Sequence, residues 1–85
     1  MNKHFEDAQY YLKRALETAA DGVREELEPV ETRFREMTGR EKAPETSRLD
    51  SVQTELRDIE GRAEGEARKA IGKAREQISA YRSAE

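Results

Sequence analysis

The sequence predicts an all-α protein, a long antiparallel two-helix hairpin of coiled-coil type, and three observations carry that expectation. Apolar residues recur every three or four positions along two stretches of nearly equal length. A short segment holding Gly39 and Pro44 separates them. Charged residues make up 41% of the chain against 34% hydrophobic, a balance that suits long solvated helices better than sheets.

Helix 1, about residues 3–38, follows from the apolar positions Phe5, Ala8, Leu12, Ala15, Ala19, Val23, Leu27, Val30, Phe34 and Met37, which fall on one face. Two places resist it. Asp21-Gly22 is a turn dipeptide, and Pro29 removes a backbone donor, so the helix is expected to kink near Gly22 and Pro29. A continuous kinked helix is preferred because the apolar phase runs through and Pro29 projects away from the seam. The alternative is a three-helix arrangement broken between residues 21 and 29. Residues 39–46 form the loop, with Gly39 as a C′ residue and Pro44 as a stop. Helix 2, about 47–82, opens on Ser47 as N-cap with Asp50 at N3. Its face carries Leu49, Val52, Leu56, Ile59, Ala63, Ala67, Ala70 or Ile71, Ala74, Ile78 and Tyr81.

In such a hairpin, facing residues have numbers summing to 86, so Phe5 meets Tyr81, Leu12 meets Ala74 and Leu27 meets Ile59. The centre of that register, residue 43, falls inside the loop. At about 1.5 Å per residue the single 1–85 domain would be a rod about 50 Å long. Tyr11, Leu16 and Ala20 widen the apolar face of helix 1, as Ala70 and Ile71 widen that of helix 2. One two-helix seam cannot cover them all, so these five residues form the candidate self-association surface. Two hairpins are expected to dimerise into a four-helix bundle there.

Glycine is costly inside a helix, yet helix 2 holds Gly61, Gly65 and Gly72. These lie about 150–190° from the seam and, with Thr54 and Ser79, form a smooth outer strip. An exposed face that tolerates small residues is the plain explanation; a second helix packed on the strip is the sharper one. The strip is therefore the second candidate helix contact.

Little catalytic chemistry is on offer. The chain has no cysteine and one histidine, His4, and no Glu-x-x-His pair or glycine-rich loop after a strand. No catalytic residue, cofactor or metal is expected. Glu26 and Glu60 share the 86 register, and are expected to splay outward towards Arg33 or Arg57 rather than face each other. Acid-first i, i+4 pairs (Glu31/Arg35, Glu36/Arg40, Asp58/Arg62, Glu64/Arg68) describe a solvated charged surface. Tyr10, beside Lys13 and Arg14, is the exposed aromatic most suited to a contact. No apolar run reaches the about 20 residues of a membrane span, and the opening "MNKHFED" lacks the core of a signal peptide, so a cytoplasmic location without membrane contact is expected.

The formal net charge is −3, unlike the basic footprint of a nucleic-acid binder. Residues 62–82, however, hold six basic residues (Arg62, Arg68, Lys69, Lys73, Arg75, Arg82) against three Glu, a local basic patch.

The stretches "MNKHFEDAQYYLKRALETA", "EELEPVE" and "TGRE" resemble a family of small uncharacterised proteins from haloarchaea. That family has no assigned activity, so the resemblance implies no site residue. It does imply a cytoplasm at molar salt, where the Debye length is about 3 Å and phosphate attraction fades. The expected function is therefore a non-enzymatic protein–protein interaction or structural module working through helix packing, as a homodimer or with a helical partner. The alternative is a nucleic-acid-associated protein using the basic patch.

Overall fold

The computed structural model describes residues 3–39 and 46–84. All of the regular structure among them is helical, in four helices: α1 (Lys3–Thr18), α2 (Asp21–Thr38), α3 (Thr46–Arg62) and α4 (Gly65–Ala84). This corrects the two-helix hairpin. Each expected helix is divided near its middle, and the molecule measures 33 × 21 × 19 Å rather than forming a 50 Å rod. The expected loop residue Pro44 lies outside the described residues, as does Arg40.

The first division, Ala19-Ala20, directly precedes the expected turn Asp21-Gly22. Thr18 ends α1, its hydroxyl donating to the carbonyls of Arg14 (2.9 Å) and Ala15 (3.4 Å). Ala20 then takes an extended conformation (φ −67°, ψ 159°), and α2 begins at Asp21, an acid where the helix dipole favours one. The first backbone bond of α2 runs from Arg24 N–H to Ala20 O (2.8 Å). Arg24 also reaches back across the corner, its Nε donating to Leu16 O at 3.0 Å, so it caps a carbonyl that the end of α1 leaves free. Gly22 sits in the first turn of α2, and α2 continues through Pro29, which is exposed. Neither residue breaks the helix.

The second division separates α3 from α4 at Ala63 and Glu64 and is followed by Gly65 at φ +60°, the one left-handed residue among those described. A left-handed turn disfavours any side chain with a Cβ, and this supplies the reason for one of the three glycines. Gly39 does not act as a left-handed C′ residue: it caps α2 at φ −80°, with its N–H donating to Arg35 O at 2.9 Å. Helix α3 begins at Thr46, which places Ser47 inside the helix instead of at its cap.

Folding each long helix at its middle closes a four-helix bundle within one chain. Neighbours along the chain pack together, and α1 packs on α4. The expected hairpin register survives the folding. Phe5 packs on Tyr81 with ring centroids 4.2 Å apart, as that register requires, while the Arg33–Glu55 and Arg62–Glu26 pairs across α2 and α3 lie two positions off it. The folding adds a second register between α1 and α2, in which Phe5 meets Phe34 edge-on at 5.8 Å. The core holds nearly every expected seam residue, Leu12, Leu27, Phe34, Leu56, Ile71 and Ile78 among them; Val23 and Tyr81 are half-buried at its edge. Ala70 and Ile71 are both buried.

Candidate functional site

The candidate self-association surface is divided by the fold. Ala70 and Ile71 are inside the bundle, Tyr11 and Leu16 are half-buried against the core, and Ala20 is exposed at the α1–α2 corner. The chain's own helices cover the Ala70 and Ile71 part of the apolar width that suggested a second hairpin, and half-cover Tyr11 and Leu16.

The outer strip is divided in the same way. Thr54 and Gly61 are exposed on α3, and the Thr54 hydroxyl donates to Asp50 O at 3.0 Å. Gly65 forms the corner. Gly72 and Ser79 face α3: a Cβ on Gly72 would stand 3.0 Å from the Glu60 carboxylate, and Ser79 Oγ accepts from Gln53 Nε2 at 3.0 Å. A helix does pack against this part of the strip, and it is α3 of the same chain.

Three of the six basic residues are committed to the bundle. Arg62 pairs with Glu26 at 3.0 Å, Arg75 with Glu60, and Arg82 with Asp50. Glu26 and Glu60 do diverge as expected, but to Arg62 and Arg75 instead of Arg33 or Arg57. Of the i, i+4 pairs, Glu31 and Arg35 approach to 3.6 Å, and Glu31 is buried at 5% exposure. The sequence did not mark that burial, because Glu31 stands one position off the seam.

What remains outward is a continuous face on α1 and α4. On α4 an open depression of about 490 Å³ is lined by Gly65, Arg68, Lys69, Gly72, Lys73 and Glu76, with Glu60 at its α3 edge. Arg68 makes no ion pair among the described residues, and Lys69 makes only a loose one with Glu66 at 3.9 Å. The Lys73 ammonium lies 5.8 Å from the centre of the Tyr11 ring, within the range of a cation–π contact. Tyr11 meets Tyr10 edge-on at 5.2 Å, and Tyr10 is the one large hydrophobic residue that is exposed among those described, at 59%. Lys73 therefore belongs to both the aromatic pair and the wall of the depression. Glycines and cations expected as two separate features form one surface, and Tyr10 extends it.

A second, smaller cavity of about 260 Å³ opens between α2 and α3, over Met37 and Val52 with Arg33, Glu36, Arg48 and Ser51 around it. Sequence reasoning missed it because its rim residues carry no motif. His4, the one histidine, donates from Nδ1 to Gln77 Oε1 at 3.0 Å across α1 and α4. Among the described residues no three His, Cys, Asp or Glu side chains stand close enough to hold a metal ion. No helix of the described residues is long and apolar enough to cross a membrane.

A model for a family of unknown function, DUF7553, matches residues 1–84. The chain belongs to the DUF7553 family. No curated protein and no solved structure matches it. For DUF7553 the present chain thus describes a small all-helical domain, and its functional reading rests on the face just described.

Proposed function

We infer that this chain is a non-enzymatic interaction module of the cytoplasm, binding an acidic segment of a partner protein along the outer face of α1 and α4. The observation that carries this reading is that Arg68, Lys69 and Lys73 line one depression on α4, which Lys73 joins to the Tyr10–Tyr11 pair on α1. An exposed tyrosine held in place by its neighbour offers contact area at little entropic cost, as interface anchors do. The exposed cations Arg68, Lys69 and Lys73 favour acidic side chains along the α4 side of the depression. Apolar helix faces elsewhere are used up inside the bundle, so recognition by a large hydrophobic patch has no support.

The test is titration of the isotopically labelled protein with a glutamate-rich helical peptide bearing one central phenylalanine, followed by NMR. The reading expects saturable shifts at Tyr10, Arg68, Lys69, Gly72 and Lys73, weakened at least fivefold by Tyr10→Ala with Lys69→Glu. Shifts scattered over the whole surface, or none, refute it. A single-stranded oligonucleotide run in parallel separates the nucleic-acid alternative, which requires tighter binding than the peptide and a steep loss of affinity with salt. The haloarchaeal setting suggested by the sequence calls for the same titration at molar salt, where the aromatic contact persists and the charge term falls.

A further inference from the structure

We propose that the bundle can open at both of its inner corners and exchange halves with a second copy of the chain, giving a domain-swapped dimer of two extended hairpins. Four observations support it. The α1–α2 and α3–α4 connections are each two residues long, Ala19-Ala20 and Ala63-Glu64. The two connections lie at one end of the bundle: Phe5 on Tyr81 sets the end of α1 beside the start of α4, and Glu26 on Arg62 sets the start of α2 beside the end of α3. Straightening both together therefore leaves those two interfaces untouched. The apolar phase also runs unbroken through each connection, so a straight helix across it keeps the same core face. Finally, the α1–α2 corner is held by a single side-chain bond, Arg24 Nε to Leu16 O, and Ala20 caps α2 without one.

In the swapped form α1 and α4 of one copy pack on α2 and α3 of the other. Contacts such as Phe5 on Phe34 form between chains in place of within one, while the Arg24 bond to Leu16 O gives way to the helical bond from Ala20 N–H. Nothing in the core changes except the two corners, which become helix. This is the usual thermodynamic basis of swapping: the same interface is made either way, and the balance is set by the hinges and by concentration. Gly65 is what favours the closed form at the second corner, because its φ of +60° is available to glycine and disfavoured by other residues.

Two substitutions push the hinges in opposite directions. Gly65→Ala penalises the closed corner and promotes a straight helix, raising the dimerisation constant about tenfold per chain, hence about a hundredfold for the pair. Asp21→Pro does the reverse. It occupies the first position of α2, where proline is well accepted, after a residue already in the extended conformation that proline requires of its predecessor. In a straight helix the same proline would be interior and strongly disfavoured.

The experiment refolds the full chain and its variants from denaturant at millimolar concentration and measures mass by light scattering after size exclusion. Gly65→Ala is expected to give a dimer of twice the 9.8 kDa chain mass, and Gly65→Ala with Asp21→Pro the monomer. As the chain has no native cysteine, spin labels at Glu6→Cys and Glu36→Cys report the opening directly. Close together in the closed bundle, they stand about 45 Å apart along a straight helix. A Gly65→Ala chain that stays monomeric overturns the proposal, and so does a dimer that keeps the short label distance within each chain or persists with Asp21→Pro. Should Gly65→Ala lose its helical signal, wild type against Asp21→Pro makes the same comparison: a wild-type dimer that Asp21→Pro abolishes supports the swap, and equal masses overturn it.

Discussion

Two glycines four positions apart should respond to alanine with opposite signs. Gly61 lies in the last turn of α3 and Gly65 opens α4 at the corner; both are exposed, and a Cβ on either would meet nothing within 4 Å. Packing is therefore equal in the two cases, and the backbone alone decides. At Gly61 the conformation is right-handed and alanine is the better helix former, so Gly61→Ala should stabilise by about 0.5–1 kcal/mol. At Gly65, with φ +60°, a Cβ in the left-handed region costs about 1–2 kcal/mol. Part of that, about 0.4–1 kcal/mol, is returned by the stiffer unfolded chain. The net loss is about 1 kcal/mol. For a domain of this size each 1 kcal/mol moves Tm by about 4–8 °C. Thermal unfolding followed by far-UV circular dichroism, at concentrations dilute enough to keep the chain monomeric, should separate the two variants by about 6–16 °C on either side of wild type. Gly65→Asn should fall between Gly65→Ala and wild type, since asparagine tolerates the left-handed region. A Gly65→Ala protein as stable as Gly61→Ala would refute the left-handed corner and, with it, the division of helix 2.

Leu56 is fully buried, so Leu56→Ala should cost about 2–5 kcal/mol in urea unfolding, with an unchanged m-value; a loss under 1 kcal/mol would remove it from the core. Gly72→Ala sets a helix-propensity gain of about 1 kcal/mol against displacement of the Glu60 carboxylate, 3.0 Å from the new Cβ, from its partly exposed pair with Arg75. The net change should lie within about 0.5 kcal/mol, while in a Glu60→Ala background the same substitution should recover the full gain; equal effects in both backgrounds would show that Gly72 and Glu60 are uncoupled.

The core was legible in the sequence because burial follows apolar phase, and that phase is the same whether a helix runs straight or turns back on itself. For the same reason the two corners were only half legible: Asp21-Gly22 and Gly65 stood out beside them, but the unbroken apolar phase argued for straight helices. Ala19-Ala20 carries no glycine, proline or side-chain cap, and Ala63 and Ala67 read as ordinary seam residues. The signal that the hairpin folds over was the surplus apolar width at Leu16, Ala70 and Ile71, which a four-helix bundle satisfies equally well within one chain or between two. The ion pairs of Arg75 and Arg82 with α3 were hidden too, because the α3–α4 register exists only once the corner is known. Tyr10 and the α4 cations were each visible as residues. Their union into one face depends on Lys73 reaching Tyr11, which no single-helix projection contains.

Leu16 separates the ways in which that surplus width can be covered. It is half-buried against the core near the end of α1, and its carbonyl takes the Arg24 bond at the corner. In Leu16→Glu, a carboxylate replaces part of the apolar contact, a loss of about 1–2 kcal/mol from burial and partial desolvation together. If α2 covers Leu16, as in the closed bundle, Tm falls by about 5–15 °C and the mass is unchanged. In a swapped dimer α2 of the other copy covers it with the same contacts, so both forms weaken alike and the balance between them does not move. Only a further side-by-side interface built on Leu16 would convert a dimer to monomer while sparing Tm. Measuring mass and Tm on the same samples thus tests the coverage itself: a mass that halves at constant Tm would show that Leu16 meets a second molecule and that the α1–α2 packing does not bury it.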